Sequence, residues 1–299
     1  MIRKLVYLFN PISGTAKKGT LLKKIESATK EQSLQYELLP TNAAGDYTWL
    51  IKKIKEEHVT DVIIIGGDGS VNQITGALRE CKVQFGIIPA GSGNGLAFAA
   101  SIPKNTSKAL DIIFQNKAKK TDAFLVNNQY ACMLSGLGFD AAIAHKFAEQ
   151  QSRGLATYIQ QSLKHFLKAK AYKFEIVINK SSFHTDAFFI SIANSNQFGN
   201  NVTIAPKAKL NDGLLDVVIV QKMNKAALTI KVLNQVFGNN ALQYFDEPVS
   251  KQSVLYFQTE KLMIKNFSNA PLHIDGEPYT TADVFNIKIL KDCFMLLQP

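Results

Sequence analysis

The stretch that most limits how this chain can fold is the apolar run Val62-Ile-Ile-Ile65, halted by Gly66-Gly67-Asp68-Gly69-Ser70-Val71-Asn72. A short β-branched run stopped by glycine reads as a strand in a sheet covered on both faces. Three glycines within four residues allow backbone angles and close approaches that a Cβ would forbid. Ser70 to Arg79 then has helical character, with Ser70 placed to act as N-cap. Strand, glycine turn and helix in that order point free N–H groups back into the turn, where an anionic phosphate is well accommodated. Asp68 is the odd member, because a carboxylate beside phosphates is repulsive unless it holds a cation, orders a donor or takes a proton. The competing reading is a tight strand-to-helix turn with Asp68 as a surface cap.

The same alternation fills the first part of the chain. Leu5 to Asn10, Gln35 to Leu39, Val62 to Ile65 and Val83 to Ile88 read as strands. Helices follow from about Lys17, over Asp46 to Glu57, over Ser70 to Arg79 and after Gly95. This predicts an α/β domain over residues 1–125 with a mainly parallel sheet. The turns Asn10 to Thr15, Gly66 to Ser70 and Pro89 to Gly95 then fall at its carboxyl edge, where ligands bind in open α/β folds. After Lys120 the pattern becomes apolar and aromatic strands from Ala123 to Leu290, which predicts a largely antiparallel β domain over residues 126–299. Its last strand is free to return to the first domain. A helical segment from about Ala141 to Ala171 interrupts the series, made basic by Lys164, His165, Lys168, Lys170 and Lys173. It reads either as a solvated face or as a membrane-docking surface.

Composition narrows the partners. Of 299 residues, 46% are hydrophobic and 19% charged, as in an ordinary globular protein, and the net charge of +10 favours anionic partners. No basic block is interleaved with stacking aromatics in a nucleic-acid motif, so nucleic acid is not expected. The apolar run after Met1 is too short for a signal peptide, and no uninterrupted apolar stretch approaches the ~18 residues of a membrane helix. Cys81, Cys132 and Cys293 are odd in number and far apart in apolar surroundings, which reads as reduced, buried thiols in a cytoplasmic protein. His58, His145, His165, His184 and His273 lack metal-ligand spacing and read as surface or supporting residues.

Two nucleotide signatures fail. Gly136-Leu-Gly138-Phe-Asp140-Ala141 fits a dinucleotide pattern but lies outside the βαβ half and has no suitable acidic ribose partner. Gly14 and Gly19 have Walker A spacing, but Thr20 stands where lysine is required. A second glycine cluster, Ile88-Pro89-Ala90-Gly91-Ser92-Gly93-Asn94-Gly95-Leu96, follows another buried strand and neighbours Gly66 to Ser70 if the sheet is parallel.

With Asn10-Pro11-Ile12-Ser13-Gly14, these two clusters resemble the nucleotide-side motifs of the diacylglycerol kinase and sphingosine kinase catalytic-domain family. The resemblance continues through Asp122, Gly138-Phe139-Asp140-Ala141, Asn194, Ala205-Pro206 to Asp212-Gly213-Leu214-Leu215-Asp216, and Asp275-Gly276-Glu277, covering nearly the whole chain in family order. It implies an amino-terminal domain of the NAD kinase and phosphofructokinase type, followed by a mainly antiparallel β-sandwich. It also implies an ATP- and Mg2+-dependent kinase of a lipid hydroxyl, on diacylglycerol or on a sphingoid-base or ceramide-type lipid. The lipid would be drawn from an anionic membrane surface by a cytoplasmic, transiently peripheral enzyme, and the resemblance is compatible with a homodimer. In the family pattern Asn10, Thr41, Gly66, Gly67, Asp68, Gly69, Ser70, Asn72, Gly91, Ser92 and Asn94 surround ATP. Asp68 organises the nucleotide magnesium and Asp122 supports it indirectly. Lys209 and Leu214, through backbone oxygens, and Asp212, through its carboxylate, match a structural magnesium site. Glu277 matches the proton acceptor, with Asp68 the other candidate base; taken locally, Asp275-Gly276-Glu277 reads as a hairpin turn.

The chain departs from the pattern at Gln73, where glutamate is common, at Gly95, where bacterial diacylglycerol kinases often carry aspartate, and at Gly199-Asn200-Asn201, where a glycine triplet is common. Two other readings remain: an NAD kinase-like enzyme, and a catalytically weak nucleotide- or lipid-binding regulator.

Overall fold

The computed structural model describes residues 3–11, 18–42, 45–139, 141, 170–179, 181–197, 205–222 and 254–299. The chain divides into two compact units, Met1–Asp122 with Asp292–Pro299, and Ala123–Lys291. The expected helix over 141–171 and the Gly199-Asn200-Asn201 segment lie outside the described residues, apart from 141, 170 and 171.

In the first unit, strands β1 (Lys4–Phe9), β2 (Gln35–Pro40), β3 (Asp61–Gly66) and β4 (Gln84–Pro89) alternate with helices α1 (Lys18–Glu31), α2 (Thr48–Glu57) and α3 (Asp68–Leu78). Helices α4 (Gly95–Ala99) and α5 (Thr106–Gln115) follow β4. The strands are parallel in the order β4-β3-β1-β2, and Met295 and Leu296 near the end of β15 (Val284–Leu297) pair in parallel with Gln84 and Phe85. All six residues of β3 are buried, as a strand covered on both faces requires. Leu5, Tyr7, Ile63 and Ile65 share one core with Ile25 of α1 and with Leu110 and Ile113 of α5. Helix α3 buries Val71, Ile74, Thr75 and Leu78, the spacing of one helical face. Asp61 is fully buried at the start of β3, where the Arg3 guanidinium donates to both its oxygens at 2.7 and 3.0 Å and ties β1 to β3.

The second unit is an antiparallel β-sandwich. Its strands are β6 (Gln129–Ala131), β7 (Leu134–Gly138), β8 (Tyr172–Ile178), β9 (Ser181–Ala193), β10 (Leu215–Gln221), β11 (Val254–Thr259), β12 (Lys261–Asn266), β13 (Leu272–Ile274) and β14 (Glu277–Tyr279), with the end of β5 (Ala118–Val126) and most of β15. The order is β14-β13-β7-β9-β8-β12-β15, with β10 between β9 and β11. The long β9 serves both parts: its first half pairs with β8, and its second half with β7 and β10. Phe124, Leu137, Phe174, Ile190, Leu215, Leu262 and Phe285 meet in its core. Gly136 and Gly138 belong to β7 in antiparallel pairing with β9, so the dinucleotide-like spacing has no parallel strand-to-helix turn beneath it. Among the described residues, no helix is long and apolar enough to cross a membrane.

Candidate functional site

Because β1 to β4 are parallel, their carboxyl ends emerge together, and the register sets them level. Phe9 pairs with Pro40 and with Ile65, and Gly66 with Pro89. Asn10, Thr41, Gly66 to Asn72 and Gly91 to Asn94 therefore follow adjacent strand ends along one edge. The Thr41 N–H donates to the Phe9 carbonyl at 2.8 Å, joining the first two of these turns. Asn10, Thr41, Asp68 and Asn72 are half-buried and Ser92 is exposed.

The two glycine clusters are in backbone contact. A Cβ on Gly91 would lie 2.4 Å from the Gly67 Cα, and one on Gly67 would lie 2.9 Å from the Gly91 Cα, so only glycine allows this approach. The Ala90 N–H donates to the Gly66 carbonyl at 2.9 Å, and the Leu96 N–H to Asp68 Oδ1 at 3.4 Å. Asp68 thus links the first turn of α3 to the first turn of α4. Asn94 is buried at a positive φ of 56°; its Oδ1 accepts the Gly91 N–H at 2.9 Å and its Nδ2 donates to the Gly91 carbonyl at 2.8 Å. That side chain folds the loop upon itself.

The start of α3 differs from the sequence expectation. The helix begins at Asp68 with Gly67 as its N-cap, and Ser70 is its third residue, resting over Gly66 where a Cβ would come within 2.8 Å of the Ser70 Cβ. The extended Gly67 backbone lets the helix begin earlier than a side-chain cap at Ser70 would. The Val71 N–H donates to the Gly67 carbonyl at 3.1 Å, so the N–H groups of Asp68, Gly69 and Ser70 precede the helix's own ladder. That end suits an anion, and Asp68 in the first turn is itself favoured by the helix dipole.

Asp122 lies on β5, buried, and one of its oxygens accepts the Asp292 N–H at 2.7 Å where the chain re-enters the first unit. In the second unit Asp212 is exposed, and its Oδ1 accepts the Leu214 N–H at 3.1 Å, closing a tight turn. Among the described residues no three His, Cys, Asp or Glu side chains gather as a metal site. A cation here would rest on the Asp212 carboxylate and on the Lys209 and Leu214 carbonyls, an all-oxygen set that fits a hard ion completed by water. Nearby, Asp216 is fully buried; burial pushes its carboxyl up to about 7, the Asp212 charge adding to the effect while bonds from Gln258 and the charge of Lys207 oppose it. The Tyr256 hydroxyl also donates to Asp216.

Glu277 is exposed at the first position of β14, paired with Ile274. The hairpin expected from Asp275-Gly276 is present, with φ of 48° and 85° at its two turn residues. Two side chains of this hairpin turn inward. Asp275 is 6% exposed and its carboxylate accepts from the N–H groups of Cys132, Met133 and Leu134. His273, expected at the surface or in support, is fully buried, and its Nδ1 accepts the Gly276 N–H at 3.2 Å. Of the three cysteines Cys132 alone is buried; Cys81, in the turn after α3, and Cys293 are half-buried, so local apolar surroundings overstated their burial.

Residues 4–126 match the family model described as the diacylglycerol kinase catalytic domain, and residues 134–293 match that of the YegS C-terminal NAD kinase beta sandwich-like domain. A protein of Shewanella frigidimarina named probable lipid kinase YegS-like is 26% identical over 279 residues, spanning 91% of this chain and 87% of its own length. The diacylglycerol kinase of Bacillus subtilis is 26% identical over 279 residues, spanning 90% and 88%. A solved diacylglycerol kinase from Bacillus anthracis superposes with a TM-score of 0.78 at 21% identity, covering 99% of this chain and 97% of that one, a likeness of fold.

Proposed function

The chain belongs to the diacylglycerol kinase catalytic-domain family with its YegS-type C-terminal domain, and from that membership we propose that it transfers the γ-phosphoryl group of ATP to the hydroxyl of a lipid. The observation that carries this reading is the pair of glycine loops held in backbone contact at one sheet edge, with Asp68 in the first turn of α3. Phosphoryl transfer depends on positioning and charge stabilisation more than on covalent chemistry. The N–H groups of Asp68, Gly69 and Ser70 supply donors for phosphate oxygens, and Asn10, Thr41, Asn72, Gly91 and Ser92 line the same edge. Asn94 shapes the loop from within.

Asp68 would hold the magnesium of the nucleotide, with Asp122 in support, and Lys209, Asp212 and Leu214 would hold a structural magnesium. When bound, the nucleotide's ion neutralises charge on the phosphates. Glu277 takes the proton from the lipid hydroxyl as its oxygen attacks the γ-phosphorus and the bond to the β-phosphate oxygen breaks, giving lipid phosphate and ADP. Its exposure supports access by an acceptor. A primary hydroxyl of diacylglycerol is the acceptor we favour, with sphingoid bases and ceramides as the rival lipids. The net charge of +10 supports encounter with an anionic lipid surface.

The test is incubation with γ-labelled ATP, magnesium and dioleoylglycerol, sphingosine or ceramide in mixed micelles, beside NAD and fructose 6-phosphate. Label is expected in a lipid, and Asp68→Ala is expected to lower kcat by at least about 100-fold while leaving the folding transition cooperative. Label in NAD would establish the NAD kinase-like reading. Transfer to no acceptor by folded, magnesium-supplied protein would establish the weak binding regulator, a reading to which Gln73 and Gly95 lend weight.

A further inference from the structure

We infer that Asp275 is a positioning residue that fixes the place of Glu277, an inference that rests on the reading of Glu277 as proton acceptor. Asp275 and Gly276 are the two-residue connection between β13 and β14, and with φ of 48° and 85° they have the left-handed backbone of the turn that matches strand twist. Such a turn asks of its first residue only tolerance of positive φ, and an aspartate there ordinarily faces water. Here the carboxylate points inward. It accepts the N–H groups of Cys132 at 2.9 Å, Met133 at 3.0 Å and Leu134 at 2.9 Å, and the Cys132 thiol at 3.3 Å.

The backbone repeats the attachment, since the Asp275 N–H donates to the Leu134 carbonyl at 2.8 Å. From the other side, buried His273 accepts the Gly276 N–H at 3.2 Å, and Ser135 Oγ donates to the His273 carbonyl at 2.8 Å. Asp275 is therefore fastened to the entry of β7, and Gly276 to His273, whose carbonyl is in turn held by Ser135 of β7, while Glu277 itself stands exposed. A turn that only had to reverse the chain has no use for a buried carboxylate against three amides. A proton acceptor does, because small misplacements of a reacting group cost large factors in rate.

The experiment is a double-mutant cycle with labelled ATP and dioleoylglycerol in phosphatidylglycerol micelles, on wild type, Asp275→Asn, Glu277→Gln and the double variant. Asparagine turns an NH2 group toward the amide donors and loosens the hold. The expected result is that Asp275→Asn lowers kcat by about 100-fold with KM for ATP and for lipid unchanged, and that the double variant is no slower than Glu277→Gln alone. Should Asp275→Asn fail to fold, Asp275→Glu keeps an acceptor for the amides while displacing the turn, and is expected to show the same non-additivity. Wild-type kcat in Asp275→Asn overturns the inference, as does an equal further loss in the Glu277→Gln background, or failure of both Asp275 variants to fold. Full turnover by Glu277→Gln instead overturns the role of Glu277, and the inference with it.

Discussion

Burial holds the Asp216 carboxyl near 7, so at this one residue folding competes with ionisation. Its pKa lies above the unfolded value near 3.8, so the folded chain keeps a proton that the unfolded chain releases. The stabilisation is complete below that lower value and is lost as pH rises through about 7. In the presence of a chelator, the urea midpoint of the wild type is expected to fall relative to that of Asp216→Asn between about pH 4 and about pH 8. Parallel curves for the two proteins would contradict the assignment. Asp216 ends the sequence motif that begins at Ala205, yet its burial beneath Tyr256 and Gln258 was not legible there, because β11, which brings both, is remote in sequence.

At the scale of elements, the β3 and β4 loops depend on two glycines sharing one space. Gly91→Ala would set a Cβ against backbone that has nowhere to go. The expected cost is about 2 kcal/mol, read as a lower Tm, with weaker binding of a fluorescent ATP analogue. Gly19→Ala serves as the contrast: that position in α1 has open space around it, and the change is expected to raise stability by about 1 kcal/mol. Losing Asp61 would leave Arg3 without its partner at the β1–β3 junction, and Asp61→Ala is expected to cost about 3 kcal/mol in urea unfolding. These elements differ in how plainly the sequence shows them. The strands of the first unit were legible because β-branched runs alternate with helical periodicity and stop at glycine. The start of α3 was misplaced because an N-cap made by Gly67 leaves no side-chain signature. The three-residue strands β13 and β14 are too short for periodicity, and the Asp275-Gly276 signal announces the turn without telling which way the carboxylate faces.

For the molecule as a whole, the connectivity matters most. The second unit is inserted between Asp122 and Asp292, and the first unit takes its parallel edge beside β4 from residues after the insertion. Leu296 and Leu297 are fully buried, the Gln298 N–H donates to the Lys117 carbonyl at 3.0 Å, and Asp122 holds the Asp292 N–H. Cutting the chain after Lys291 is expected to raise amide hydrogen exchange through β3 and β4 well above that in β8 and β9, as measured by mass spectrometry. Equal protection in both units would show that residues 292–299 are dispensable. The ribosome makes β4 some two hundred residues before its parallel neighbour, an interval that the numbering itself fixes. Throughout that interval the nascent first unit carries an unpaired edge beside the strand that leads into the Gly91 loop, the kind of edge that invites mispairing. The sheet edge beside the Gly91 loop is therefore completed only once residues 295 and 296 have been made, and a chain stalled before them is left with glycine loops on an unfinished sheet.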